Sequence, residues 1–297
     1  MVGEDLSSSA LAEPPLPPLG RAVFDAEQAA LERSVMRATA AAGMTRWFWG
    51  EGVCLLAALR LADARRESPP DWVTAYMTPY LASPPTLEHV NNLAPGAALA
   101  ELYARGPEPR SRRLLDACVA WYESGSQATR DAGGALEHWP GGVWADTVYM
   151  AGQFLLRTGR ALDRPDLVAE AVDQWLRHAD LLQHPRTGLV VHGTLQGVRV
   201  DCHWGRANAW FALAGTDLLA ATGDARIADR LRRQLRAVVA CQPDHGVWDV
   251  LLDSPPEVRG ILETSAAAGL GAALLRAAEL LPDARDAFRA AGERAVL

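Results

Sequence analysis

The chain has 297 residues, of which 49% are hydrophobic, and it carries a formal net charge of −7. This composition supplies enough apolar side chains for a sizeable buried core, and the negative balance argues against a nucleic-acid-binding protein. No apolar stretch of the sequence reaches the roughly 20 residues that cross a membrane, so we expect neither nucleic acid nor a membrane as a partner.

The N-terminal segment differs in composition from the rest of the chain. Its first 20 residues contain acidic residues, serines and prolines, without the basic segment and apolar run of a secretory signal. We therefore predict a disordered or draped arm over residues 1–20, a single domain over residues 21–297, and a cytoplasmic location.

The cysteines and histidines show no metal-binding pattern. Cys54, Cys118, Cys202 and Cys241 are widely spaced and form no C-x-x-C pair, so we expect buried free thiols. No H-E-x-x-H or comparable ligand spacing occurs, and we expect neither a metal nor a cofactor.

Helical periodicity recurs along the chain and is interrupted by segments that contain Pro or Gly. Charged, amphipathic stretches such as 110–128 and 225–241 alternate with stretches that are apolar on most faces, such as 49–66 and 146–160. This alternation is typical of a double ring, in which outer helices face water and inner helices pack on both sides. We predict helices over residues 25–43, 49–66, 70–81, 95–105, 110–128, 146–160, 165–183, 206–222, 225–241, 263–280 and 282–293, and a short hairpin that pairs 188–193 with 197–200.

Asp146 begins one apolar helix among aromatic residues. An Asp in this place is most often an N-cap, which stabilises a helix by about 1 kcal/mol. Trp144 and Tyr149 flank it, and Met150 lies one turn further on the same face. A carboxyl group among apolar rings loses solvation, so its pKa rises and it can act as a general acid. The local sequence leaves both roles open.

A second aromatic and charged cluster, residues 204–210, opens the next apolar helix. A buried guanidinium needs an anionic partner. For Arg206 the partner is either a structural carboxylate, such as Asp201 or Asp146, or the carboxylate of a substrate held by two parallel hydrogen bonds. Inner helices of a double ring direct their N-termini to one mouth, where anions are favoured. We therefore expect Asp146 and Arg206 to face one cavity.

Six segments occur in the order and approximate spacing of a known family. Through them the chain resembles the unsaturated rhamnogalacturonyl and unsaturated glucuronyl hydrolases, glycoside hydrolase families 105 and 88, from about residue 25 to its C-terminus. The block from 143 to 210 is the most specific. The segments are Trp47-Phe48-Trp49-Gly50-Glu51-Gly52-Val53, Asn91-Asn92-Leu93-Ala94-Pro95-Gly96, Val143-Trp144-Ala145-Asp146-Thr147-Val148-Tyr149-Met150, Gly188-Leu189-Val190-Val191-His192-Gly193, Trp204-Gly205-Arg206-Ala207-Asn208-Ala209-Trp210 and Leu262-Glu263-Thr264-Ser265-Ala266.

The resemblance implies an all-α (α/α)6 barrel of alternating outer and inner helices. It also implies a substrate, a small oligosaccharide with a terminal 4,5-unsaturated uronate, whose double bond is protonated at C4 and hydrated at C5. The family's catalytic Asp corresponds to Asp146. We expect Arg206 to bind the uronate carboxylate, because a guanidinium fork suits that group. The further residues expected to bind the substrate are Trp49, Asn91, Trp144, Met150, His192 and Trp204.

Three features depart from the family pattern. Asn91 stands where the family often has Asp. Ala207 and Ala209 stand where glycines are common, and their methyl groups either narrow the pocket or stiffen the helix. Eleven predicted helices are one fewer than a closed barrel contains, so we expect the last inner helix to be absent. An open barrel favours association into a homo-oligomer.

Two other functions stay open. A sugar-binding or regulatory relative with weak catalysis would keep the aromatic pocket, and a sugar epimerase would use the same type of barrel. Epimerases rely on paired histidines as acid and base, for which His192 and His203 are the only candidates here.

Overall fold

The computed structural model of the protein describes residues 21–255, 257 and 259–296. The chain divides into two compact units, one ending at Gly43 and the other beginning at Met44. The first contains helix α1 (Arg21–Ala41), and the second contains all the other elements described below. The arm expected at residues 1–20 lies outside the described residues, and the single domain over 21–297 stays a prediction.

Every predicted helix is found. In the part of the chain that the structure describes, eleven α-helices occur with one two-stranded sheet. Helix ends differ from the predicted ones by a few residues; α5 ends four residues early because Gly125 is extended. After α1 come α2 (Trp49–Arg65), α3 (Asp71–Ala82), α4 (Ala94–Arg105), α5 (Pro109–Ser124), α6 (Thr147–Ala161), α7 (Pro165–Leu182), α8 (Gly205–Thr222), α9 (Ala225–Ala240), α10 (Thr264–Leu280) and α11 (Arg285–Val296).

The helices of the second unit alternate between an inner row and an outer layer, as predicted. Helices α2, α4, α6, α8 and α10 pack side by side in chain order, and α5, α7, α9 and α11 each pack on an inner neighbour. Burial follows this arrangement: α6 buries all residues but its last two, whereas α9 buries five of 16. A Cβ atom at Gly52 would lie 2.5 Å from the carbonyl carbon of Ala94, so only glycine permits this close approach of α2 to α4. None of the described helices is both long and apolar enough to cross a membrane.

Short turns connect the outer and inner helices where the sequence contains Gly, Asp or Pro. Gly223 ends α8 in the left-handed conformation, with φ of 66°. Asp224 then caps α9, because its carboxylate accepts a hydrogen bond from the backbone N–H of Arg226 at 2.8 Å. Pro165 occupies the first turn of α7, where its missing N–H costs nothing.

The hairpin is shorter than predicted. Strand β1 (Gly193–Leu195) pairs with β2 (Val198–Val200), and residues 188–192 lie outside the sheet. The prediction of a strand over 188–193 was therefore wrong. The two-residue turn explains the register, because Gln196 and Gly197 both have positive φ, the conformation that joins tightly paired strands.

The four cysteines are free thiols, as expected. Only Cys118 is fully buried, and burial raises the pKa of its thiol to about 12. The expectation of burial was wrong for Cys54, Cys202 and Cys241, which are half-buried. Cys202 and Cys241 lie outside the packed helices, in the segment before α8 and directly after α9.

A cluster of charged side chains joins the inner helices one turn before their C-terminal ends. Asp217 of α8 is 3% exposed and forms ion pairs with three arginines from α2, α6 and α10. We call Asp217, Arg60, Arg157 and Arg276 the arginine cluster. It lines a cavity of about 520 Å³. This cluster was not predicted from the sequence.

Candidate active site

The N-terminal ends of α2, α6 and α8 line a cavity of about 290 Å³ at the opposite end of the inner row. The cavity brings together all the predicted site residues except His192, which contacts two of the tryptophans that line it. The predicted residues that line it are Trp49, Asn91, Trp144, Asp146, Met150, Trp204 and Arg206, and four more line it that were not predicted: Phe48, His138, Trp139 and Trp210.

Asp146 is not a capping residue. Its backbone is already helical, and its side chain makes no hydrogen bond to the first turn of α6. The carboxyl group is instead enclosed, with 16% of the side chain exposed. Burial raises the pKa of Asp146 to about 6, although the charge of Arg206 acts in the opposite direction. The structure therefore gives no side-chain capping role to Asp146, and its role as a proton donor stays a prediction.

His192 faces Asp146 from the segment that precedes β1. Its Nδ1 lies 3.9 Å from Oδ2 of Asp146, and its ring lies 4.7 Å from that of Trp144 and 5.0 Å from that of Trp204. The backbone fixes this position, because the carbonyl of His192 accepts a hydrogen bond from Ala145 N–H at 3.0 Å. Burial and the nearby guanidinium of Arg206 lower the pKa of His192, so its imidazole is neutral near pH 7.

Arg206 has a structural partner that the sequence analysis did not identify. Its Nη1 donates to the buried carboxylate of Glu263, which immediately precedes α10. The guanidinium carbon lies 3.9 Å from the centre of the Trp204 ring, in a cation–π contact. The expected ion pair of Arg206 with Asp201 or Asp146 was wrong. The fold places the start of α10, and with it Glu263, beside the start of α8.

His138 and Trp139, which precede Trp144 in the chain, extend the aromatic wall. His138 stacks on Trp144 with ring centres 4.8 Å apart and planes 7° from parallel. Burial lowers the pKa of His138 to about 3, and its Nδ1 lies 3.1 Å from Oγ1 of Thr147. Trp139 is 48% exposed at the rim. The sequence signal was an aromatic pair directly before a Pro-Gly-Gly turn, which is too short a pattern to assign to a site.

The opposite wall combines aromatic residues from α2 and α8 with an amide. Trp49 and Trp210 meet edge to face with ring centres 6.1 Å apart, and Tyr149 supports Trp210 from behind at 4.8 Å. Asn91 lies in a short 3₁₀ turn before α4 and is 7% exposed. Its amide can donate and accept hydrogen bonds, but it cannot act as a base.

Other residues singled out in the sequence lie away from the cavity. His203 is buried outside it, with Nδ1 2.7 Å from Oδ2 of Asp253, and neither His192 nor His203 lines the cavity. Ala207 and Ala209 are buried and do not line the cavity. A Cβ atom at Gly269 of α10 would meet the Ala209 methyl at 2.9 Å, so this alanine packs between helices and does not narrow the pocket.

Comparison with known protein families gives a match over most of the chain. Residues 24–291 match the model of Glycosyl Hydrolase Family 88. The chain belongs to this family. An unsaturated rhamnogalacturonyl hydrolase, YesR of Bacillus subtilis, is 36% identical over 170 residues, which are 52% of this chain and 48% of that protein. The matched segment thus spans about half the length of this relative.

Solved structures of the family share the fold. A possible member of the GH105 family from Salmonella enterica has a TM-score of 0.78 at 24% identity, over 100% of this chain and 85% of that chain. Unsaturated glucuronyl hydrolase from Bacillus sp. GL1 has a TM-score of 0.68 at 18% identity, over 85% of this chain and 73% of that chain. The prediction of the (α/α)6 barrel of this family is confirmed, with five inner helices in the described residues.

Proposed function

We propose that the protein hydrolyses a small oligosaccharide with a terminal 4,5-unsaturated uronate. One observation carries this proposal: an enclosed carboxyl group with a raised pKa, Asp146, and a guanidinium, Arg206, face one cavity walled by tryptophans. Hydration of an unsaturated uronate needs a proton donor for the double bond and a cation for the carboxylate. The activities named for the Bacillus relatives support the same substrate class.

Asp146 donates its proton to C4 of the enol ether, which places the positive charge on C5 and the ring oxygen. Water adds at C5, and its proton returns to the Asp146 carboxylate. The product of this addition is a hemiketal. It opens to a ketone at C5, and C1 then releases the next sugar as an alcohol and becomes an aldehyde. The net change consumes one water, and Asp146 ends in its starting protonation state.

The neighbouring groups assist this sequence in different ways. Arg206 binds the uronate carboxylate, because charge-assisted hydrogen bonds to a planar guanidinium fix both position and orientation. His192 is neutral, so it adds no positive charge that would favour loss of the proton from Asp146. The rings of Trp49, Trp144 and Trp204 bound the cavity and exclude bulk water from the reacting atoms.

The deciding assay follows the ultraviolet absorbance of the enol ether in unsaturated uronyl disaccharides. Absorbance should fall with time in proportion to enzyme concentration, and NMR should identify a keto-aldehyde and the released sugar. No fall in absorbance with any such disaccharide, at high enzyme concentration, would contradict the proposal. Calorimetric binding of a saturated uronate without turnover would instead support the sugar-binding alternative.

Replacing Arg206 by Gln should raise KM about 10- to 100-fold, because a hydrogen bond to a charged group contributes about 1.5–3 kcal/mol. Arg206→Lys should not restore the wild-type KM, since an ammonium group cannot form the two parallel bonds. Steady-state kinetics on one disaccharide measures both effects. The exposed residue Arg113 provides the matched control, and an Arg206→Gln KM no higher than that of Arg113→Gln would exclude a role for Arg206 in binding.

The activity should fall on the alkaline side of about pH 6. Asp146 must be protonated to donate, and its pKa of about 6 means that the protonated fraction is high below this pH and decreases above it. We expect kcat/KM to be level in the acidic range and to fall about tenfold per pH unit well above pH 6. Aliquots returned from each pH to pH 5 should regain full activity, and a level profile up to pH 8 would contradict the assignment.

The roles of the individual residues are part of this proposal. The cytoplasmic location and the association into a homo-oligomer also stay predictions, which fractionation and analytical ultracentrifugation can measure.

A further inference from the structure

The mechanism above leaves the segment that begins α10 without a role. We propose that Glu263 is a positioning residue, which holds the guanidinium of Arg206 in the orientation that receives a uronate carboxylate and balances its charge while the site is empty. The proposal rests on the uronate-binding role of Arg206 given above. It gives Glu263 a role in substrate binding in addition to its position before α10.

The side chain of Glu263 does not cap the helix that follows it. Glu263 occupies the N-cap position of α10, but its side chain accepts no hydrogen bond from the backbone N–H groups of the first turn. The residue is nevertheless 7% exposed. A buried carboxylate costs several kcal/mol unless other groups compensate it, so its retention needs another partner. That partner is Arg206.

The contact between Glu263 and Arg206 uses only part of the guanidinium. Oε1 of Glu263 accepts from Nη1 of Arg206 and, at 3.2 Å, from the hydroxyl of Ser265. One face of the guanidinium lies on Trp204. Within the described residues, the Nε and Nη2 groups make no hydrogen bond. These two donors form one edge of the fork, which is the edge that a carboxylate binds through two parallel bonds.

A shared strand-like segment fixes the two residues relative to each other. The backbone N–H of Gly205 donates to Val250 at 2.7 Å, and the backbone N–H of Glu263 donates to Trp248 at 2.9 Å. Residues 248–250 therefore connect the start of α8 to the start of α10. A Cβ atom at Gly205 would lie 3.0 Å from the Ala266 methyl, so the glycine permits this close approach. The position of Glu263 beside Arg206 is thus set by backbone contacts.

The same ion pair affects the proton donor. Arg206 is the charged group that acts on Asp146, and it favours the ionised carboxylate. Among the described residues, His192 contacts Asp146 and His138 lines the same cavity, and both are neutral near pH 7 because their pKa values are lowered. A negative charge on Glu263 offsets part of the field of Arg206. Glu263 therefore helps Asp146 to keep its proton.

The first test compares Glu263→Gln in two backgrounds with an unsaturated uronyl disaccharide. In the wild-type background the change should raise KM about tenfold with little change in kcat, because the guanidinium loses its orientation. In the Arg206→Gln background the same change should lower KM, since it removes a negative charge near the substrate carboxylate. A purely structural role of Glu263 predicts a loss in both backgrounds, and this outcome would overturn the proposal.

The second readout is the pH profile. Loss of the Glu263 charge leaves more of the Arg206 field on Asp146, which lowers the pKa of the donor. In Glu263→Gln the alkaline limb of kcat/KM should therefore move to lower pH, by roughly 0.5–1 unit. Glu263→Asp retains the charge, so the alkaline limb of its kcat/KM profile should stay close to the pH at which it falls in the wild type. An unmoved limb in Glu263→Gln would contradict the proposed charge balance.

Failure of the proposed function can be told apart from failure of this inference. If the wild-type protein turns over no unsaturated disaccharide, the proposed function fails, and the inference is then tested by calorimetric binding of glucuronate and galacturonate to the same four proteins. If Glu263→Gln weakens uronate binding in the wild-type background and strengthens it in the Arg206→Gln background, the positioning role is supported. Equal effects in both backgrounds overturn it, and circular dichroism checks that each variant is folded.

Discussion

Replacing Asp146 by Asn should lower kcat about 10³-fold, because a side-chain amide cannot donate a proton to C4 of the enol ether. The amide has nearly the same shape as the carboxyl group, so the cavity and substrate binding should be preserved. KM should accordingly change far less than kcat. The enol-ether absorbance assay at pH 5, where the wild-type carboxyl group is protonated, gives the largest difference between the two proteins.

The same substitution should make the protein more stable at alkaline pH. Burial raises the pKa of Asp146 in the folded protein to about 6, above its value in an unfolded chain. A carboxyl group with a raised pKa does not change the free energy of unfolding at pH values below both its folded and its unfolded pKa. As the pH rises through them, the folded protein must hold an unfavourable buried charge, which costs about 2–3 kcal/mol at pH 8. Asn carries no charge and removes this cost.

Denaturant unfolding of both proteins at pH 4 and pH 8 measures the effect. Asp146→Asn should match the wild type at pH 4 and exceed it at pH 8. Asp244 is exposed, so Asp244→Asn is a matched control that should change neither activity nor the pH dependence of stability. If Asp146→Asn retains activity near that of Asp244→Asn, Asp146 is not the proton donor.

The helices and their order could be predicted from the sequence because each depends on local information. Apolar periodicity separates a helix such as α6, buried on all faces, from α9, buried on one. Gly223 and Pro165 mark helix boundaries through their own backbone preferences. The predicted ranges of the hairpin were wrong because its turn lies at Gln196 and Gly197, and the residue type gives little indication of the positive φ of Gln196.

The candidate site was predicted less completely, because its pairings join distant parts of the chain. Asp146, Trp144 and Met150 lie within one segment, and their proximity follows from helix geometry. The partner of Arg206 does not: Glu263 lies 57 residues away and meets it only through the packing of α8 on α10. Charge matching in the local sequence offered Asp201, which the fold does not bring to the guanidinium.

The arginine cluster depends on the fold even more strongly, since its four residues come from four helices. Burial alone would raise the pKa of Asp217, but the charges of Arg60, Arg157 and Arg276 outweigh this effect and lower it. Its contribution to stability is therefore present above the ordinary pKa of a carboxyl group and lost only in strong acid. Helices α2 and α10 are the first and last of the inner row, and both place an arginine on this one carboxylate.

Replacing Asp217 by Asn should therefore destabilise the fold by about 3 kcal/mol, because it leaves the guanidinium of Arg157, 9% exposed, without its central counter-charge. For a chain of this size the melting temperature should fall by roughly 6–12 °C. Asp116→Asn breaks an exposed ion pair with Arg112 and should change the stability far less, because solvent screens the two charges. Denaturant unfolding compares the two variants, and equal stabilities would mean that water screens the cluster. KM should be unchanged in Asp217→Asn, since the cavity of the proposed uronate site lies at the opposite end of α8.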